Sequence, residues 1–202
     1  MQKIIKDIIY AIFAAFILGF IIGTFFPNGI TQQKNNHKFM AWARSLGFGP
    51  PKFEYNNNKE YITSLKKCID YINFDLYPSE QINTELIIAQ SIVESDYGNS
   101  RFAREGNNLF GIRVWSKDGI LPYHQSESIN WRIKTYKHKC DSVADYINLL
   151  NTKQVYAEFR HVRKSSWIQD PIKLAKTLNN FSTNKEYEQK IVEVIHKMRE
   201  NK

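Results

Sequence analysis

AQSIVESDYGNSRFAREGNNLFGIRVW, residues 89–115, governs how the rest of the chain is read. Its first part ends a segment in which Leu86, Ile87, Ile88, Ala89, Ile92 and Val93 are apolar. A helix apolar on nearly every side is buried in a core. Its polar exceptions include Gln90 and Glu94, which are four residues apart and share a face. A carboxylate at the end of a buried helix sits at the lip of apolar surroundings. Desolvation there raises its pKa, as a general acid at neutral pH requires. Taken alone, the pattern also fits a solvated glutamate at a fraying helix end.

The residues downstream of Glu94 bear on that choice. Ala89 leads into Glu94-Ser95, then a turn at Gly98-Asn99-Ser100, then Asn108-Leu109-Phe110-Gly111. The order continues through Tyr136, Ser142 to Leu150, and Tyr187, Lys190 and Ile191. These motifs, spread over roughly residues 60–200, resemble the glucosaminidase family of peptidoglycan hydrolases, notably its Bax-type and flagellar wall-digesting members. Glu-Ser alone would carry no weight; several ordered motifs do.

The resemblance implies a mostly α, α+β fold: a lysozyme-like helical domain with a small β-hairpin lobe forming one wall of a groove. It implies cleavage of the β-1,4 bond between N-acetylglucosamine and N-acetylmuramic acid in peptidoglycan strands. The family's first acid matches Glu94. A second carboxylate is expected in the β-lobe, where Glu127 is the best match and Asp118 and Glu105 are rivals. The family's late aromatic matches Tyr187, which also reads as a core tyrosine. Gln90, Asn108, Phe110, Trp115 and Tyr136 are the candidate substrate contacts, because aromatics stack on sugar faces and amides bond acetamido groups. Phe110 reads equally as core packing. Glycoside cleavage needs a proton for the leaving oxygen and a carboxylate that directs water or supports positive charge. The substrate's own acetamido group is an alternative nucleophile. An N-acetylmuramidase or lytic transglycosylase, and a wall-binding module without catalysis, are the competing readings.

The remaining elements read from periodicity. Ile62, Leu65, Ile69, Ile72 and Leu76 follow helical spacing. Asn83 or Thr84 caps the buried helix, with Glu85 in its first turn. Ser142 with Asp145 resembles a capping box ahead of Val143, Tyr146, Ile147 and Leu150. Asp170-Pro171 sets a cap before a proline at the first helical position. Asn184 starts a last helix striped by Tyr187, Ile191, Val194, Ile195 and Met198. Between Ile120 and Tyr136 polar and apolar residues alternate, which predicts a strand or hairpin.

Upstream, Ile8 to Phe26 carries no charge over 19 residues. As a helix it spans roughly 28 Å, close to a bilayer's hydrocarbon thickness. The run is long for a signal peptide's core and no small-x-small cleavage site comes after it, so a retained inner-membrane anchor is expected. Lys3 and Lys6 precede the span while Lys34, His37, Lys38 and Arg44 lie beyond it, so the positive-inside rule does not orient it. A wall substrate does: residues 27–202 belong outside, periplasmic or extracellular, and residues 1–7 in the cytoplasm of a bacterial cell. Pro27, Gly29, Pro50, Pro51 and Asn56-Asn57-Asn58 make residues 27–58 a linker, with a short helix around Lys38 to Leu46. The catalytic domain is expected at 59–202.

Lys3, Lys6 and Asp7 leave +1 in the first 26 residues, so the remainder carries +7 of the net +8. Such a surface favours an anionic partner. The basic residues are dispersed and fit no nucleic-acid motif. His37, His124, His138, His161 and His196 form no metal pattern, and neither metal nor cofactor is expected. Cys68 and Cys140 either pair in an oxidising compartment or stand as buried thiols.

Overall fold

In the computed structural model the described residues are 2–25, 29–122, 129–165, 168–182 and 184–200. The chain begins with two long helices, α1 (Gln2–Phe25) and α2 (Gly29–Ser45). The folded domain comes next, with α3 (Asn58–Asn73), α4 (Thr84–Ser95) and α5 (Arg101–Glu105). A two-stranded antiparallel ribbon, β1 (Arg113–Val114) and β2 (Arg132–Ile133), leads to α6 (Lys139–Thr152). A 3-10 turn at Gln154–Tyr156 precedes α7 (Ala157–Ser165), α8 (Pro171–Ala175) and α9 (Tyr187–Glu200).

The core is built around α4, which packs against α3, α8 and α9. Leu86, Ile87, Ile88 and Ala89 lose almost all contact with solvent, as the continuous apolar run requires. Asn83 caps α4 by accepting from Glu85 N at 2.9 Å and Leu86 N at 3.2 Å. The α3 stripe contributes Leu65 and Ile69, that of α6 Val143, Ile147 and Leu150, and that of α9 Ile191 and Ile195. The expected proline start of α8 is present: Asp170 Oδ1 accepts from Ile172 N at 3.0 Å.

The structure bears on three further expectations. First, α6 starts at Lys139, where Asp141 Oδ2 accepts from His138 N at 2.9 Å; the cap is not Ser142 with Asp145. Ser142 is buried, and Asp145 is taken by tertiary partners, Tyr136 Oη at 2.8 Å and Lys134 Nζ at 2.5 Å. Second, the strand or hairpin expected between Ile120 and Tyr136 is present: among the described residues β2 pairs with β1, Arg113 opposite Ile133 and Val114 opposite Arg132, and Ile120 adds a bridge to Ile133. Third, the stretch expected as a linker packs in part against the domain within residues 29–58. The 17-residue α2 buries Gln33 and Met40. Phe53 and Tyr55 lie against the core, each in edge contact with Tyr61 at 5.5 and 5.1 Å between centroids.

Cys68 on α3 and Cys140 at the start of α6 form a disulfide with Cα atoms 5.2 Å apart, which resolves the choice between paired and free thiols. α1 is long and apolar enough to cross a membrane.

Candidate active site

Glu94 lies one residue before the end of α4, and the chain is held tightly just beyond it. Asp96, Tyr97 and Gly98 adopt φ of 49°, 52° and 77°, three left-handed residues in succession. The first two are costly for residues with a Cβ, so surrounding contacts must enforce them. Ser95 Oγ accepts from Gly98 N at 2.9 Å and donates to Ser91 O at 2.6 Å. Tyr55 Oη donates to Gly98 O at 2.9 Å. Tyr61 Oη contacts Ser91 Oγ and, at 3.1 Å, Ser95 Oγ. Any Cβ at Gly98 would collide with Tyr55 and Tyr61. The helix end is thus locked, and with it the direction of the Glu94 side chain.

That side chain opens into a groove of about 910 Å³. Phe110, Gly111, Arg113 and Trp115 line one side of it; Tyr156, Phe181, Tyr187 and Glu188 come from the C-terminal part of the chain. Rings form its base. Phe110 stacks on Tyr146 at 4.1 Å and Phe181 on Tyr187 at 5.9 Å, while Tyr146 meets Phe181 edge-on at 5.8 Å. Gly111, at φ 64°, lets the backbone pass close to Glu94: a Cβ there would stand 3.5 Å from Oε2.

Burial pushes the Glu94 carboxyl up to about 7, against the lowering effects of a hydrogen bond from Tyr187 and the charge of Arg113. Tyr187 is itself raised, by burial first and by the Glu94 charge second, so it stays a donor. Its hydroxyl accepts from Gln90 Nε2 at 2.9 Å, and Gln90 Oε1 accepts from Tyr146 Oη. Tyr146 is raised by burial, and Tyr156 is pushed up to about 12 by burial and by Glu94. A chain of neutral hydroxyls and one amide therefore backs the carboxyl. The protonated state is held by desolvation; the ionised state, once formed, meets a hydroxyl donor and a cation. Those are two requirements of a residue that gives up a proton and recovers it.

The structure brings Glu94, Phe110, Trp115 and Tyr187 together in the groove. Trp115 is 71% exposed at its mouth, whereas Phe110 is buried and serves both core and groove. Three other candidates are not groove residues. Gln90 is fully buried and spends its amide on Tyr146 and Tyr187. Asn108 donates to Ile112 O at 2.9 Å and Lys134 O at 2.8 Å, and accepts from Phe110 N and Ile112 N. Its hydrogen-bonding capacity is used up in clasping the Asn-Leu-Phe-Gly turn to the ribbon. Tyr136 is tied to Asp145 on α6. Glu127 lies outside the described residues. Its rivals are both exposed: Glu105 faces Arg101 at 3.9 Å, and Asp118 sits in a turn closed by Ser116. Tyr156, Phe181 and Glu188 also line the groove without any mark in the sequence, because turns far along the chain bring them there, and Arg113 lines it from β1, two residues past Gly111. Among the described residues no group of His, Cys, Asp and Glu is arranged to hold a metal ion.

The same fold occurs in the catalytic domain of the autolysin Auto of Listeria monocytogenes, with a TM-score of 0.52 at 19% identity, covering 79% of this chain and 92% of that one. Fold and site together define a lysozyme-like helical domain with a small β-lobe and a half-buried carboxyl at the end of its central helix. Residues 75–200 match the glucosaminidase family, described as mannosyl-glycoprotein endo-beta-N-acetylglucosaminidase, and the chain belongs to that family. It is 27% identical over 134 residues to the exo-glucosaminidase LytG of Bacillus subtilis, covering 60% of this chain and 46% of that protein. It is 26% identical over 152 residues to an N-acetylmuramoyl-L-alanine amidase domain-containing protein of Staphylococcus aureus (69% and 23%). It is 30% identical over 88 residues to protein bax of Escherichia coli (41% and 28%). The chain spans less than half the length of each of these curated relatives.

Proposed function

We propose that this protein is a peptidoglycan hydrolase, an endo-β-N-acetylglucosaminidase that cleaves the β-1,4 bond between N-acetylglucosamine and N-acetylmuramic acid. The observation that carries the reading is the Glu94 carboxyl, raised to about 7 by burial and aimed into an aromatic groove. At neutral pH such a group is about half protonated and can protonate the glycosidic oxygen as the bond to C1 breaks. Tyr187 and Arg113 then stabilise the carboxylate left behind. Trp115, exposed at the groove mouth, offers a ring face for sugar stacking. Water, or first the substrate's own acetamido oxygen, completes the bond at C1.

Glu127 is our choice for the carboxylate that directs this second step, on the strength of the family resemblance. Glu188 is the described alternative, because it lines the same groove as Glu94. Glu127→Gln should cut turnover by roughly two to four orders of magnitude. A crippled Glu188→Gln beside a normal Glu127→Gln would reverse the choice.

The disulfide between Cys68 and Cys140 suits an oxidising compartment, in keeping with a domain outside the cytoplasm. α1 is read as a retained anchor that leaves residues 27–202 on the outer side of the membrane. The decisive experiment digests purified wall, reduces the products with borohydride and identifies the reduced sugar by mass spectrometry. Reduced glucosamine supports the proposal. Reduced muramic acid or an anhydro sugar assigns the protein to the muramidases or lytic transglycosylases. No release at all leaves a wall-binding module.

A further inference from the structure

The aromatic face of α2 is unaccounted for by catalysis. At about 100° per residue, Gln33, His37, Met40 and Arg44 share one side of the helix. That side faces the domain: Gln33 and Met40 are buried, and His37 Nδ1 and Arg44 Nη2 each stand 2.8 Å from the Asp75 carboxylate. Phe39, Trp42 and Leu46 fall on the opposite side and are exposed, Trp42 to 57%. Phe48 at the end of the helix and Phe74 beside Phe39 extend the patch, with Phe39 and Phe74 6.0 Å apart between centroids. Lys34 and Lys38, both exposed, flank it.

Three residues, one of them Pro27, separate α2 from the membrane-length α1. At full extension they place the start of α2 within roughly 14 Å of the end of α1. An apolar stripe rich in Phe and Trp, edged by lysines and tethered this close to a span, has the chemistry of a helix lying in the lipid headgroup region.

The other end of the domain completes the argument. Asp75, to which α2 is fastened, lies just beyond the C-terminal end of α3. Tyr61, near the start of α3, bonds to Ser91 and Ser95 near the end of α4. α3 and α4 therefore run antiparallel, and Glu94 sits at the end of the domain opposite Asp75. The rise from residue 61 to residue 75 amounts to roughly 20 Å.

We propose that α2 is an interfacial helix, seated through Phe39, Trp42 and Leu46 in the headgroup region of the membrane that α1 crosses. So placed, it holds the groove facing away from the bilayer, toward the wall. The inference rests on the reading of α1 as a retained anchor, and one experiment separates the two. The full chain is reconstituted into vesicles of phosphatidylcholine and phosphatidylglycerol, with and without brominated acyl chains that quench nearby indoles. Carbonate washing reports the anchor: a chain released by carbonate ends the anchor reading and this inference with it.

In a chain that stays embedded, part of the emission from the four tryptophans is quenched. Trp42→Phe, which keeps an aromatic ring but removes the fluorophore, lowers the quenched component by about twofold or more. Trp115→Phe, at the groove mouth, leaves it unchanged. If Trp42→Phe leaves the quenched component intact, α2 is not in the interface and its aromatic face is open to a second copy of the chain. If Trp115→Phe removes it instead, the groove faces the bilayer and the proposed orientation is wrong.

Discussion

Replacing Glu94 by glutamine should stabilise the fold while ending catalysis, and the stabilisation should depend on pH in one particular way. The carboxyl moves from an ordinary 4.5 to about 7 on folding, chiefly through burial. Each unit corresponds to 1.36 kcal/mol, so the charged form costs the folded state up to ~3 kcal/mol. Below pH 4.5 the proton is bound in both states and the cost is absent. Between 4.5 and 7 the folded protein retains a proton that the unfolded chain releases, so stability falls as pH rises. Above 7 the full cost is present. Glutamine keeps the shape and can accept from the Tyr187 hydroxyl, but it never ionises. Wild type and Glu94→Gln should therefore unfold together at pH 4. At pH 8 the variant should be more stable by ~2–3 kcal/mol, or roughly 4–12 °C in Tm for a domain of this size. Circular dichroism of the full chain in micelles, read in the tryptophan band, tracks unfolding without reporting α1, which contains no tryptophan. Equal melting at pH 8, or a larger gap at pH 4 than at pH 8, would refute the claim that desolvation sets this carboxyl's proton affinity. Full activity in the variant would refute its role as the acid.

Tyr187→Phe removes the donor that lowers the Glu94 pKa. The alkaline limb of the pH–kcat profile should move upward and turnover should fall roughly ten- to hundredfold, the value of a hydrogen bond to a charged group; an unmoved limb would make Tyr187 merely structural. A chain begun at Lys59 loses Phe53 and Tyr55, and with them the Tyr55–Gly98 hydrogen bond behind the helix end. It should be less stable than a chain begun at Gly47 by roughly 2–4 kcal/mol in urea titrations, and equal midpoints would restore that stretch to the linker. Replacing Cys68 and Cys140 by alanine opens a crosslink spanning 72 residues of sequence and should cost about 4 kcal/mol, measured by urea unfolding without reductant. Little or no loss would mean that the unfolded chain gains nothing from the missing constraint.

The elements legible in the sequence are those whose burial writes an apolar stripe. α6 and α9 each carry one, and α4 is apolar on nearly every side. Val143, Tyr146, Ile147 and Leu150 of α6 and Tyr187, Ile191 and Ile195 of α9 are buried as the spacing marks them, whereas the buried Gln90, Ser91 and Ser95 of α4 carry no such mark. α2 carries no apolar stripe, because its domain-facing side is Gln33, His37, Met40 and Arg44, held partly by ion pairs to Asp75 rather than by apolar packing. Periodicity of apolar residues cannot reveal a face that docks through charge, and so the segment reads as linker. The start of α6 is hidden for a related reason. Ser142 and Asp145 have cap-like spacing, but Asp145 is committed to Lys134 and Tyr136, contacts that exist only once the ribbon has folded onto the helix.

The same distinction separates motif from role at the site. Glu94 is legible because an apolar run sets it at the lip of the core and the ordered motifs downstream match it to the family's acid; the groups that close around it, Phe110, Gly111 and Tyr187, come from other elements. Gln90 and Asn108 belong to the same stretch and suggest sugar contacts by residue type, because amides suit acetamido groups. Their amides are instead engaged inside the protein, one by two tyrosine hydroxyls, the other by four backbone groups. Yet both bear on the acid. Gln90 fixes Tyr187 against Glu94, and Asn108 fixes the turn whose Gly111 passes 3.5 Å, measured from its would-be Cβ, from the same carboxyl. A residue type chosen for what it could offer a ligand is as well suited to holding a backbone or a hydroxyl in place, and the spacing along one chain is the same in both cases. What distinguishes them is whether the amide's bonds are already made within the protein itself, and here they are.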